Sequence, residues 1–274
     1  MTNLIPSESN FEKQEWKCLQ YAASTAHNFT NPMKSTKSTP AYVPLERLEI
    51  SRPVDRIPFI KDFCKNRVVL DLGAMDETAF MAKRGQGTWL HEEICNVATQ
   101  VMGIDNSTIV PPEGIPTGAK SRIYRGDISS VGELLDAHEF TPDIVVAGEI
   151  IEHLENPLAF LRSIKAIKRL HGKVLILTTP NATALHNCMI GMLSRESTHH
   201  DHLCIFSYKT LYTLCKRAGV DDWQIIPYLA RFTEMKARNA GIRRCLVAGG
   251  ERVINGLEWL FPMMGFGYVV VIQV

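Results

Sequence analysis

The chain has 274 residues, 45% of them hydrophobic, with 30 Lys and Arg against 29 Asp and Glu. That length buries a core without covalent staples, and the balanced charge argues against a large non-specific nucleic-acid footprint while allowing a local basic patch. Aromatic and charged fractions of 8% and 22% exclude a disordered or fibrous chain. Seven Cys stand at 18, 64, 95, 188, 204, 215 and 245, an odd number with no CxxC pair. They read as free thiols in a reducing cytosol rather than as a disulfide framework or a thiolate zinc site. The amino terminus lacks the apolar run of a signal peptide, so a cytoplasmic location is expected. The longest apolar stretch, Leu257 to Val274, is interrupted by Glu258, Pro262, Gly265 and Gly267. It is too broken for a transmembrane helix and reads as a helix end followed by a core strand.

Residues 1–45 are polar and rich in Ser, Thr, Asn and Pro, and are expected to form an arm or lid with a short helix at Glu12–Ala26. Residues 46–274 are expected to form a single domain. From Arg67 onward, short apolar runs alternate with amphipathic stretches, which indicates βαβ units and a parallel sheet. The predicted strands are Arg67–Leu72, Val101–Asp105, Ser121–Arg125, Asp143–Ala147 and Lys173–Thr178. The predicted helices between them are Glu77–Lys83, Leu90–Thr99, Val131–Ala137 and Pro157–Leu170. In the last, Leu158, Leu161, Ile164 and Ile167 recur every three residues and give one buried face, with Gly172 as C-cap. A helix over Tyr208–Ala218 ends at Gly219. Strands at Trp223–Phe232 and Gly267–Val274 flank a helical insertion over 238–264, with a helix at Ala248–Leu260. The fold class is therefore α/β: a Rossmann-like doubly wound sheet, mostly parallel, with an antiparallel carboxyl-terminal strand.

Ligands of such sheets bind beyond the carboxyl ends of the strands. The first strand ends in Asp71-Leu72-Gly73-Ala74, where Gly73 lets backbone approach a ligand. Met75 and Asp76 follow, so the GxGxxG fingerprint of a pyrophosphate cradle is absent and a nucleoside ligand without phosphates is expected. The second strand ends at Asp105-Asn106, where a carboxylate can accept from ribose hydroxyls or simply cap a helix. The third ends in Gly126-Asp127-Ile128, suited to an adenine or again to a cap. The fourth runs into Gly148-Glu149-Ile150-Ile151-Glu152-His153, crowding two carboxylates and a His at one strand end.

The series VVLDLGA, GIDNS, RGDI, DIVVAGEIIEHLENP and VLILTTPN resembles the class I S-adenosylmethionine-dependent methyltransferases. It is most similar to the group with an E-x-x-E-H turn, which includes ubiquinone-type and sugar- or polysaccharide-pathway O-methyltransferases. The resemblance covers Arg67 to Gly219 and implies S-adenosylmethionine as cofactor. It implies Asp71, Leu72, Gly73 and Ala74 near the methionine moiety, Asp105 and Asn106 at the ribose, Gly126, Asp127 and Ile128 at the adenine, and Ala147, Gly148 and Glu149 at the reactive end. It also brings His91 toward the cofactor. Met75 departs from the family's second glycine.

Methylation of a hydroxyl needs a group to take its proton, and a His within hydrogen-bond reach serves that need. The candidates are His153 and the cluster His199, His200 and His202. Glu149, Glu152, His153 and His202 also form a mixed oxygen and nitrogen set suited to a divalent metal such as Mg, Mn or Fe. The favoured expectation is O-methylation of a sugar, glycan or other small hydroxylated metabolite. A metal-dependent RNA 2′-O-methyltransferase is an alternative, because E-x-x-E-H, TTPN and a later Asp201-His202 are similar to the small-RNA 3′-end enzymes. However, Leu203-Cys204-Ile205-Phe206-Ser207 departs from their pattern. A non-catalytic nucleotide-binding module is a third. Trp259, Leu260 and Phe261 suit core packing, with a homodimer contact or a lipid-linked substrate as alternatives.

Overall fold

A computed structural model of the chain describes residues 47–76 and 88–274. The chain divides into two compact units, Met1–Arg52 and Pro53–Val274. Of the first, residues 47–52 are described and carry no helix or strand. The second holds every element named below.

Helix α1 (Arg56–Cys64) leads into β1 (Val68–Leu72). Then follow α2 (Leu90–Cys95), β2 (Gln100–Asp105), β3 (Ile115–Gly118), β4 (Ser121–Arg125), α3 (Val131–Ala137) and β5 (Ile144–Gly148). Next come α4 (Pro157–Ala166), β6 (Val174–Pro180), α5 (Leu185–Gly191), α6 (Tyr208–Ala218) and β7 (Trp223–Tyr228). The chain closes with α7 (Thr233–Arg238), α8 (Gly241–Leu260) and β8 (Gly267–Gln273).

The strands form one sheet in the order β3-β4-β2-β1-β5-β6-β8-β7. From β4 through β6 all neighbours are parallel. β8 inserts antiparallel between β6 and β7, closing the sheet as the sequence predicts. Side chains alternate between two cores, as the strand period of two requires. Leu70, Leu72, Ile104, Val145 and Leu175 face α3, α4 and α6. Val69, Val101, Ile144, Val146 and Ile176 face α1 and α2. This is why the central strands read as continuous apolar runs rather than alternating ones.

Strand order reverses at β1, whose neighbours are β2 on one side and β5 on the other. The crossovers leave in opposite directions there and open a crevice at the carboxyl ends, the place where doubly wound sheets hold ligands.

All the predicted parallel strands are present. The edge strand β3 is not among them, because Pro116 and Gly118 mask its character. The predicted helix Pro157–Leu170 ends at Ala166 and passes into a 3-10 turn over Lys168–Leu170. Gly172 has φ +73 just beyond that turn, and Gly219, at φ +74, C-caps α6. α8 starts earlier than Ala248 because the Gly249-Gly250 pair weakens the helical signal without ending the helix. The expected helices Glu12–Ala26 and Glu77–Lys83 lie outside the described residues. Six cysteines, at 64, 95, 188, 204, 215 and 245, are free thiols. Among the described residues no helix is long and apolar enough to cross a membrane.

Gly103 shows how tightly the switch point is packed. A Cβ there would meet Ile123 Cγ1 at 2.8 Å, the Ala74 Cβ at 2.9 Å and His91 Cε1 at 3.0 Å. Two of these atoms sit on or next to a Cβ and have little room to yield. We expect Gly103→Ala to destabilise the fold by about 1–3 kcal/mol, read from the urea unfolding midpoint. An unchanged midpoint would show that this end of the sheet is loosely packed.

Candidate functional site

The carboxyl ends of β1, β2, β4 and β5 surround a cavity of about 1140 Å³. It is lined by Asp71, Gly73, Ala74, His91, Asp105, Asn106, Asp127, Ile128, Gly148 and Glu149, and on its far rim by His153, His199 and His202. Leu72 and Ala147 point into the core instead. Gly126 packs against Leu134, where a Cβ would meet Cδ1 at 2.5 Å. Glu152 is fully buried behind the rim, and His200 lies outward with its side chain 80% exposed, paired with Asp201.

After β1 the chain turns at Gly73, φ +71, and is drawn toward β2. Gly73 N–H donates to the Ile104 carbonyl at 2.9 Å, and Met75 N–H donates to Asp105 Oδ2 at 2.8 Å. Asp105 Oδ1 accepts from Ser107 N–H at 2.9 Å. The carboxylate is thus held by two backbone groups at the cavity wall. Asp127 caps the 3-10 turn Ile128–Ser130 by accepting from Ser129 N–H at 2.7 Å, which holds its pKa below the ordinary carboxylate value.

Asp71 does not face the cavity alone. His91 Nδ1 lies 2.8 Å from Asp71 Oδ2, and Nε2 lies 2.9 Å from Thr117 Oγ1. Burial alone would lower the His91 pKa. The hydrogen bond and charge of Asp71, with the Cys95 thiol, outweigh burial and raise it to about 9. At neutral pH the pair is a buried imidazolium–carboxylate bridge under the first loop.

β5 runs directly into a strained residue. Glu149 has φ +54, and its N–H donates to the carbonyl and hydroxyl oxygens of Thr178 at 3.0 and 3.1 Å. Its Oε1 accepts from Tyr228 O–H at 3.0 Å and lies 3.0 Å from Arg56 Nη1. Burial, then the Glu149 charge, pushes the Tyr228 phenol well up, so it stays protonated and donates. Arg56 and Tyr228 went unnoticed in the sequence. Arg56 precedes the first strand and Tyr228 reads as an ordinary β7 residue, so only the fold brings them to Glu149.

Beyond Glu149, the 3-10 turn Ile151–His153 sends Glu152 inward. Both of its carboxylate oxygens are buried without a hydrogen-bond partner among the described residues. Burial, then the Glu149 charge, raises its pKa to about 8. Its backbone carbonyl accepts from Leu203 and Cys204 N–H at 2.8 and 3.2 Å, which ties the His-rich loop to this turn. His153 and His202 stack edge to face with ring centres 4.6 Å apart, and His199 lies 6.0 Å from His153. Burial, then His153 and His199, lowers the His202 pKa, so its imidazole is neutral. Glu152, His153 and His202 each offer a ligand atom within 4.8 Å of the others. Glu149, the fourth residue of the expected metal set, is instead engaged by Arg56 and Tyr228.

The chain matches the family model described as a methyltransferase domain over residues 45–225. Solved structures are similar to it at low identity. An S-adenosylmethionine-dependent methyltransferase from Archaeoglobus fulgidus is 16% identical, with 79% of this chain and 90% of that chain covered at a TM-score of 0.44. The small RNA methyltransferase HEN1 is 15% identical at a TM-score of 0.50, with 84% of this chain but only 27% of HEN1 covered. The methyltransferase domain of bacterial CtHen1 is 16% identical, with 80% and 95% covered and a TM-score of 0.47. No protein of curated function matches.

The His91 bridge makes stability depend on pH. Its folded pKa of about 9 lies above the ordinary imidazole value of 6.5, so the folded state holds an extra proton between them. This stabilisation is full below pH 6.5 and is lost as pH rises through about 9. We expect urea unfolding to show a decline of up to about 3 kcal/mol over that window, and Asp71→Asn to flatten it. An equal slope in both proteins would place the proton elsewhere.

Proposed function

The chain belongs to the methyltransferase domain family and is a class I S-adenosylmethionine-dependent methyltransferase; we propose that it methylates a hydroxyl of a neutral sugar, glycan or other small hydroxylated metabolite. The observation that carries this reading is the charge of the cavity wall. Seven carboxylate residues line it (Asp71, Asp76, Asp105, Asp127, Glu149, Glu155 and Asp201), and Arg56 is its only Arg or Lys among the described residues. A polyanion needs Lys and Arg to replace its counterions, and the one Arg of this wall, Arg56, is already paired with Glu149, which argues against RNA as acceptor. It suits a sulfonium cation beside an uncharged acceptor.

When bound, S-adenosylmethionine supplies an already activated methyl group. The cavity fits it, because Gly73 offers backbone where a Cβ would crowd Ile150 at 3.1 Å, and Asp105 stands fixed at the next strand end. In this reading Asp105 accepts from the ribose hydroxyls, with Asn106 beside it. Asp127 and Ile128 receive the adenine, and Gly148 and Glu149 border the reactive end. The protein's contribution is then chiefly to orient acceptor and cofactor. His202, neutral and on the rim, takes the acceptor proton, with His153 and His199 beside it.

A divalent metal is a second element of the proposal. A buried carboxyl group without a well-formed hydrogen bond is costly, and Glu152 is such a group among the described residues, next to two imidazoles. Glu152, His153 and His202 would hold the ion, whose chemistry there is to polarise a hydroxyl; with the ion bound His202 is a ligand, and His199 is then the imidazole on the cavity wall left to take the acceptor proton.

The test is isothermal titration with S-adenosylhomocysteine, with and without EDTA, followed by a metal-supplemented screen of hydroxylated sugars and of RNA. We expect micromolar binding that survives EDTA and weakens at least about tenfold in Asp105→Ala. Turnover on a neutral acceptor should vanish in Glu152→Gln while cofactor binding persists. Methyl transfer to RNA alone would overturn the acceptor class, and full turnover by Glu152→Gln would remove the metal.

A further inference from the structure

α8 is amphipathic in the reverse sense. Its carboxylates face the protein: Glu251 Oε2 accepts from Phe232 N–H at 2.7 Å, and Glu258 Oε2 accepts from Ala230 N–H at 2.9 Å. Its apolar residues face outward. Ile242, Leu246, Val253, Leu257 and Leu260 are 80, 71, 64, 39 and 56% exposed. At 100° per residue they fall on one stripe opposite Glu251 and Glu258. Gly249 and Gly256 complete it, with open space where a Cβ would stand. The stripe runs the length of a 20-residue helix, and scattered surface apolar residues do not account for that.

Charge decides what covers it. Arg243, Arg244 and Arg252 are the exposed charges of α8, and its only two acids are the buried ones. A second copy packed along the same stripe would line both sets of arginines on one seam with no acid to answer them. Trp259 and Phe261, 53 and 52% exposed, close the stripe at one end. An apolar stripe flanked by Arg243 on one side and Arg252 on the other, with Arg244 exposed in the first turn and an aromatic end, is the pattern of a helix lying in the plane of an anionic bilayer surface.

We propose that α8 docks this protein on the surface of an anionic membrane, its apolar stripe immersed at the headgroup boundary and its arginines among the lipid charges. The helix is well placed for this. Asn181, just past β6, donates to the Met263 and Gly265 carbonyls at 2.9 and 2.7 Å, which pins the turn after α8 to the sheet edge where the cavity opens. The proposal stands apart from the acceptor class, since docking needs no turnover.

The experiment is sedimentation of the full chain with phosphatidylcholine vesicles, with and without roughly one-third phosphatidylserine. We expect binding to the anionic vesicles, at least about tenfold weaker on neutral ones and reduced by salt. Leu246→Glu with Val253→Glu should abolish it, while S-adenosylhomocysteine binding and thermal unfolding stay unchanged. The triple change of Arg243, Arg244 and Arg252 to Gln should weaken it about a hundredfold and tests the idea even if the apolar variant misfolds. Absence of binding to either vesicle would overturn the proposal. So would a concentration-dependent dimer, seen by analytical ultracentrifugation, that Leu246→Glu dissolves.

Discussion

Strand order reverses at β1, and the position of the cavity depends on that reversal. A parallel sheet covered on both faces leaves its polar backbone accessible only at strand ends. Where the crossovers diverge, between β1 and β5, no helix among the described residues covers those ends. Asp71, Asp105, Asp127 and Glu149 come from four different strands, yet the sheet spaces them along one edge. The tight seat of Gly103 under His91 and Ala74 shows that this edge is packed from below as firmly as the core.

Polar groups at this edge are shared among structural and candidate functional tasks. Asp71 is bridged by His91, and Asp105 is saturated enough by Met75 and Ser107 to hold two loops in place. Glu149 occupies a left-handed conformation, a strain of the kind that persists where the surroundings over-determine it. Here Thr178, Arg56 and Tyr228 do so. Glu152 is the exception, buried with no partner among the described residues. Burial and the neighbouring Glu149 charge raise its pKa, so it is held there closer to its neutral form.

The His-rich loop is fixed at the cavity by backbone hydrogen bonds as well as by its ring contacts with His153. Leu203 and Cys204 hang from the Glu152 carbonyl, so the turn that buries the carboxylate also positions His199 and His202. His200, one residue along from His199, points outward because consecutive residues of a loop cannot all face one cavity.

By itself, the sequence determined the fold class and most of the cavity wall. Buried parallel strands must read as apolar runs, and the residue after each run must lie at the carboxyl edge. Asp71, Asp105, Asp127 and Glu149 are therefore legible from strand position alone. Tertiary structure decided which of these groups are already spoken for. No local pattern links Arg56 or Tyr228 to Glu149, because the contacts span 93 and 79 residues. Nor does periodicity say which face of α8 turns inward. A stripe of apolar residues predicts burial, and only the carboxylates docked on the Ala230 and Phe232 amides turn that stripe toward solvent.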